Sequence, residues 1–271
     1  MPAPPPAPGA PLVRREREGP VVSLTMCSPA NRNALSRRLL AELATALADA
    51  GSDPGVRIVV LTGTGTAFCS GMDLSERLHP LPGEPPATLG EVLTAIVAMA
   101  KPVVARVNGH VRAGGMGLVC ACDLAVAPQD ATFAFNEVRV GMAPAIVAVP
   151  ALRRMSRRAF DRYALTGEVF GAAQAVESGV LTAVVSGADV LDAWVGDVVA
   201  STLRSAPAAV AATKALAELV ARPWAEALEA AAEVSEALFG TAAAAEGMAA
   251  FLGRRKPSWV VEPSRGPRAP S

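Results

Sequence analysis

The stretch Val103-Val-Ala-Arg-Val-Asn-Gly-His-Val-Arg-Ala-Gly-Gly-Met-Gly117 decides how the chain is read. Val103–Val107 is a short β-branched run and reads as a buried strand. Asn108-Gly109 turns the chain, and Gly114-Gly115 opens a helix over Gly114–Cys122. The first N–H groups of a helix have no partners within it, and the helix dipole adds partial positive charge at that end. A strand that delivers glycines to such an end makes a site for negative charge. The glycine spacing is not a dinucleotide fingerprint, and no acidic ribose ligand follows a second strand at the usual distance. No Gly-Lys-Ser/Thr is present, so this is not a Walker loop.

Towards the N-terminus, Leu12–Arg17 and Val21–Met26 read as two strands joined by a tight turn at Glu18–Gly19. Ser36 precedes a periodic segment in which Leu39, Leu40, Leu43, Leu47 and Ala48 share one helical face, and Gly51 closes it. Arg57–Leu61 is another buried strand. Leu78–Pro86 carries Pro80, Pro82, Gly83, Pro85 and Pro86 and reads as a loop. A helix over Thr88–Met99 is broken by Lys101-Pro102. Towards the C-terminus, strands at Leu124–Ala127 and Ala131–Phe135 precede helices at Ala145–Met155, Arg157–Thr166, Gly171–Ser178, Ala188–Ser205, Pro207–Ala221 and Trp224–Leu252. A strand at Ala183–Val185 interrupts that run, and Pro207 suits a first helical turn. This alternation describes an α/β domain followed by a helical C-terminal subdomain.

The bulk composition excludes several classes. The 271 residues are 51% hydrophobic and 18% charged, with a formal net charge of zero and no basic stripe, so no nucleic-acid partner is expected. The most apolar region, Val103–Ala127, is interrupted by Arg106, Asn108, His110, Arg112 and Asp123 and cannot span a membrane. Met1–Pro11 is a Pro/Ala tract without a charged n-region; it reads as a flexible tail, and the cytoplasm is the expected location. Cys27, Cys69, Cys120 and Cys122 are spaced poorly for a metal knuckle, so reduced thiols and no metal site are expected.

Three further segments carry polar groups into apolar surroundings. Ser28-Pro-Ala-Asn-Arg-Asn-Ala-Leu35 is a polar turn between a strand and a helix, and by itself reads as a loop with capping residues. In Ala67-Phe-Cys-Ser-Gly-Met-Asp-Leu74, Gly71 permits close backbone approach and Asp73 is placed to cap a helix. In Phe133-Ala-Phe-Asn-Glu-Val-Arg-Val-Gly-Met-Ala-Pro144, Glu137 is acidic in an apolar setting, which raises a carboxyl pKa and suits proton exchange near neutrality. The competing account of Glu137 is a structural ion pair with Arg139 or Arg112.

Together these segments resemble the crotonase (enoyl-CoA hydratase/isomerase) superfamily. Ser70-Gly71-Met72-Asp73, Asn108-Gly109 with Gly114-Gly115, and Asn136-Glu137 with Gly141 and Pro144 occur in family order. So do Leu165-Thr166-Gly167 with Ala172, Ala175, Gly179 and Leu181, and Glu246-Gly247 with Phe251-Leu252 and Arg254-Arg255-Lys256-Pro257. The resemblance runs from about Leu12 to Trp259. It implies a crotonase-like ββα superhelix over 12–205, a helical trimerisation subdomain over 206–257, and tails at 1–11 and 258–271.

The resemblance also implies chemistry. The main-chain N–H groups of Met72 and Gly114 would form an oxyanion hole for a thioester enolate, and Glu137 would handle the Cα proton. Family hydratases carry a second glutamate three residues after the second donor; here that position is Gly117. Hydration with water activated by Glu137 alone or by another side chain, double-bond isomerisation, another enolate reaction and a non-catalytic acyl-CoA binder all stay open; the residues alone lean towards isomerisation, and the resemblance places hydration of a 2-enoyl-CoA first. Coenzyme A is expected as part of the substrate, with no separate cofactor. Arg32, Ala67, Ser70, Gly71, Asp73, Leu74, Gly115, Arg254, Arg255 and Lys256 are the expected substrate and CoA contacts, although a solvated terminus equally explains the last three. Leu74, Leu78 and the proline-rich loop are expected to border the acyl pocket. His110 reads as a packed or solvent-facing residue. A homotrimer or dimer of trimers is implied, through the Ala-rich C-terminal helices.

Overall fold

The computed structural model describes residues 10–79, 82–83 and 86–261. Most of the two expected tails, and Pro80 and Pro85 of the proline-rich loop, lie outside these residues. β1 (Val13–Glu18) and β2 (Val21–Met26) form an antiparallel hairpin. α1 (Arg37–Ser52) follows, capped by Ser36, whose side chain accepts from the Leu39 amide. Leu39, Leu40, Leu43 and Leu47 are buried along one face of it, as their spacing requires, whereas Ala48, expected with them, is exposed and the helix runs past Gly51 to Ser52.

The chain then repeats a two-strand unit. β3 (Ile58–Gly63) leads to β4 (Ala67–Cys69), followed by α2 (Leu74–Leu78) and α3 (Leu89–Ala98). β5 (Val103–Arg106) leads to β6 (His110–Arg112) and α4 (Gly114–Ala121). β7 (Leu124–Pro128) leads to β8 (Thr132–Ala134), a 3-10 turn at Glu137–Val140, α5 (Ala145–Arg154) and α6 (Arg157–Thr166). β9 (Phe170–Gly171), α7 (Ala172–Glu177) and β10 (Ala183–Val185) complete the spiral. The first strand of each pair enters one sheet, ordered β1-β2-β3-β5-β7-β10, and the second enters another, ordered β4-β6-β8-β9. This is the ββα superhelix that the resemblance implied. The sequence marks neither β4 nor β6 as a strand. Each is three residues long, too short to show a period-two pattern.

Alternation along the large sheet separates two cores. Val59 and Leu61 face the main core with α1, α3 and α4. Ile58 and Val60, with Val104 and Val126, face Leu191, Val195, Val199 and Leu203 of α8 (Ala188–Leu203). α9 (Pro207–Ala215) begins at Pro207 as expected but tightens into a 3-10 turn over Leu216–Ala221. The single helix expected over Trp224–Leu252 is two, α10 (Trp224–Phe239) and α11 (Ala242–Leu252). Gly240 ends the first, and Thr241 caps the second by accepting from Ala244 N.

Lys214 anchors α9 to the core. Its Nζ pairs with Asp123 at 2.8 Å and donates to the carbonyls of Ile96 and Lys101. α10 buries no residue within this chain and leaves Trp224, Leu228 and Phe239 exposed. Among the described residues no helix is long and apolar enough to cross a membrane.

Candidate active site

A cavity of about 600 Å³ opens between the starts of α2 and α4 and the segment after β8. Met72, Gly114 and Glu137 all line it. Met72 lies in an isolated parallel bridge with Leu35, in which Leu35 N donates to Gly71 O and Asp73 N to Leu35 O. That pattern turns the Met72 amide to the opposite side, away from Leu35. Gly114 is the first residue of α4, so its amide is one of the helix's orphan donors. Among the described residues neither amide has a protein acceptor. The two turns touch: a Cβ built on Gly71 would lie 2.8 Å from Ala113 Cβ and 3.5 Å from Gly114 N.

Backbone and thiol contacts hold these turns. Gly71 has φ +96°, a conformation that side chains disfavour. Its amide donates to Cys69 Sγ at 3.4 Å, and Gly115 packs so closely on Cys69 that a Cβ would meet the Cys69 Cβ at 2.8 Å. Burial pushes the Cys69 thiol up to about 12, so it serves here as a neutral packing group. Ala113 has φ 45° and ψ −117°, strained for a residue with a Cβ, and its amide is tied to Ala134 O at 3.0 Å. The strain sits immediately before the Gly114 donor.

Glu137 begins the 3-10 turn after β8 and is 8% exposed. Its Oε2 is buried and, among the described residues, has no hydrogen-bond partner. Burial raises its pKa, and a hydrogen bond from its own amide offsets part of that rise. The ion-pair account does not hold among the described residues. Arg112 instead donates to Val111 O, Thr132 O and Thr132 Oγ1, and no salt bridge includes Glu137. A buried carboxyl with a raised pKa thus faces the same cavity as two uncommitted amides.

The sequence model of the Enoyl-CoA hydratase/isomerase family matches residues 16–262. The chain belongs to this family. A 2,3-dehydroadipyl-CoA hydratase of Escherichia coli (strain K12) is 30% identical over 249 residues, 90% of this chain and 96% of that one. An enoyl-CoA hydratase structure from Mycobacterium smegmatis is 34% identical with TM-score 0.85, covering 93% of this chain and 100% of that one. An enoyl-CoA hydratase/isomerase structure from Marinobacter aquaeolei reaches TM-score 0.86 at 30% identity, covering 92% and 99%. The fold is the crotonase fold.

Within this family framework the other expected contacts divide. Ser70, Asp73 and Leu74 line the cavity. Gly71 and Gly115 lie behind its wall as packing positions. Arg32 does not line it, but its carbonyl accepts from Ser70 N and so positions that turn. Ala67 is buried in β4 with its carbonyl accepting from Asn33 and Asn108 side chains, and it does not reach the cavity. Arg254, Arg255 and Lys256 follow α11 and do not line it either. There Arg255 forms a bidentate pair with Glu246, whose pKa it lowers to about 2. Leu78 is exposed outside the cavity, whereas Gly83 of the proline-rich loop lines it. His110 is exposed on β6 and bonds through Nδ1 to Thr132 Oγ1, away from the cavity lining.

Gly117 is buried in α4, and a Cβ there would meet Leu93 Cδ1 at 3.3 Å and Val147 Cγ2 at 3.4 Å. The space beside this position is therefore apolar and occupied. Sequence reasoning missed Asn136, Arg37 and Val147 as cavity residues. Asn136 alone carried a sequence signal, as a polar residue beside Glu137 in an apolar run.

Proposed function

We propose that this family member catalyses reversible hydration of a 2-enoyl-CoA. The observation that carries this reading is the buried Glu137 carboxyl, whose Oε2 has no partner among the described residues, in the wall that also bears the Met72 and Gly114 amides, without protein acceptors among those residues. With the thioester oxygen on those amides, water adds through its oxygen to Cβ. The Cα=Cβ electron pair shifts to form the enolate, whose oxygen charge the two N–H groups stabilise. Glu137 takes the water proton and returns it to Cα. Each amide is worth roughly 3 kcal/mol of barrier at the enolate. A raised carboxyl pKa narrows the gap between Glu137 and the groups it exchanges protons with.

Gly117 supports a second reading, double-bond isomerisation, in which the single carboxylate moves a proton between two carbons of the same acyl chain. In either case the CoA portion is assigned to the groove beside Ser70 and Arg32. A homotrimer or dimer of trimers would cover the apolar residues left open on α10 and α11. The test is turnover of α,β- and β,γ-unsaturated acyl-CoAs in D2O, read by mass spectrometry. Addition of one water to an α,β-unsaturated substrate supports hydration. Interconversion of the two alkene classes without water addition would replace it by isomerisation. Binding without any mass change or exchange would leave an acyl-CoA binder.

A further inference from the structure

Hydration with one carboxylate still requires something to orient the water, and Gly117 cannot. We propose that Asn136 does so: its side-chain Oδ1 accepts one hydrogen of the attacking water while Glu137 Oε2 accepts the other. This rests on the hydration reading above.

Both oxygens are buried, both belong to residues of the cavity wall, and among the described residues neither has a hydrogen-bond partner. A buried polar atom left without a partner is costly and uncommon. Asn136 also occupies an N-cap position, before the 3-10 turn Glu137–Val140, where asparagine ordinarily bonds the backbone. It makes no such side-chain bond; Arg139 N donates to the Asn136 main-chain oxygen at 3.1 Å instead. The side chain is thus withheld from its usual local role.

Other polar side chains of the wall are committed elsewhere. Ser70 Oγ donates to Asn31 O, and Asp73 Oδ1 accepts from Ser75 N and Oγ. Glu76 Oε2 accepts from Arg37 N, and Thr88 Oγ1 is engaged with Glu91. Two acceptors carried by consecutive residues of one cavity wall suit a ligand with two donor hydrogens, and water supplies them while keeping a lone pair for attack. The reacting end of an enoyl thioester offers only acceptors. In the step itself, the O–H bond held by Glu137 breaks and its proton passes to Glu137. The oxygen bonds to Cβ, and Asn136 gains and loses no proton. Because Asn136 is neutral, it orients water without adding a like charge beside Glu137.

The experiment compares two activities of the same protein: hydration of a 2-enoyl-CoA, and Cα hydrogen exchange of a saturated acyl-CoA in D2O. The second needs Glu137 and the amides but no attacking water. Asn136→Leu is expected to lower the hydration kcat about 100-fold with KM and Cα exchange preserved. Asn136→Asp keeps an acceptor oxygen, so it is expected to restore hydration, with the rising limb of its pH profile moved to higher pH by the second carboxylate. Equal loss of hydration and exchange in Asn136→Leu would make Asn136 structural and overturn the proposal. So would undiminished hydration in that variant, or an Asn136→Asp profile superposable on wild type. A wild-type enzyme that exchanges Cα hydrogen yet adds water to no enoyl-CoA would instead overturn the hydration reading itself.

Discussion

Gly71→Ala probes the contact on which the paired amides depend. A methyl group there would stand 2.8 Å from Ala113 Cβ and 3.4 Å from Arg112 O. Carbon atoms rest at about 3.5–4.0 Å, so the two turns must separate by about 1 Å. Ala113 cannot swing aside, because its Cβ is set by a backbone tied to Ala134 O. Alanine at φ +96° costs about 1–2 kcal/mol and the overpacking about 1–3 kcal/mol, so the stability loss is about 2–5 kcal/mol. Under the proposed function, in which the Met72 and Gly114 amides act as a pair, separating them by that distance is expected to cost kcat about 100-fold. Gly19→Ala is the control: φ is +56°, with no heavy atom within 4 Å of its built Cβ. It carries the backbone strain alone, about 1 kcal/mol, and leaves kcat unchanged. Urea midpoints and kcat on a 2-enoyl-CoA, measured where each variant is folded, separate the two effects. Gly71→Ala with wild-type kcat and a midpoint no lower than that of Gly19→Ala would refute the reasoning.

Under the proposed hydration function, Glu137→Gln is expected to lower kcat by about 100- to 10,000-fold, measured at saturating enoyl-CoA. Its stability effect has a definite pH dependence. Because the folded-state pKa is raised above the ordinary value of 4.5, the folded protein holds the proton more tightly than the unfolded chain. The resulting stabilisation is fully present below that ordinary value and is lost as pH rises through the raised one. Wild type should therefore lose stability relative to Glu137→Gln across that window in pH-series urea titrations; a constant difference would contradict the burial account. Lys214→Met leaves Asp123 without its cation and should cost about 3 kcal/mol by urea denaturation, less than a fully buried pair because both side chains are partly exposed. A loss under about 1 kcal/mol, typical of surface pairs, would remove Lys214 as the anchor of α9.

Much of the fold was legible because its signals are local. Leu39, Leu40, Leu43 and Leu47 recur at helical spacing beneath a Ser36 cap, and both turned out to be as read. The runs at Val103–Val107 and Arg57–Leu61 announced buried strands by their composition, and the strands lie at Val103–Arg106 and Ile58–Gly63. β4, β6 and β9 did not, since two or three residues cannot display a period and are strands only by pairing with distant neighbours. The break at Gly240–Thr241 was overlooked among alanines that favour helix on both sides. Motif order singles out Met72, Gly114 and Glu137, with Ser70 and Asp73, and all five line the one cavity. Ala67 and the Arg254–Lys256 cluster, which motif position marks as CoA contacts, do not line the cavity, because motif position does not specify which face a strand shows or where a terminus docks.

The chain's own order of residues determined that glycine turns would follow buried strands, that a helix would begin at Gly114, and that an acid would sit in the apolar stretch after Phe133. These depend on neighbours within a few positions. Tertiary structure alone decided that Gly71 would meet Ala113, that Leu93 and Val147 would fill the space beside Gly117, and that Asn136 Oδ1 and Glu137 Oε2 would be buried without partners among the described residues. Desolvation and close contact are properties of what the rest of the chain brings to a point in space, and no local pattern encodes them.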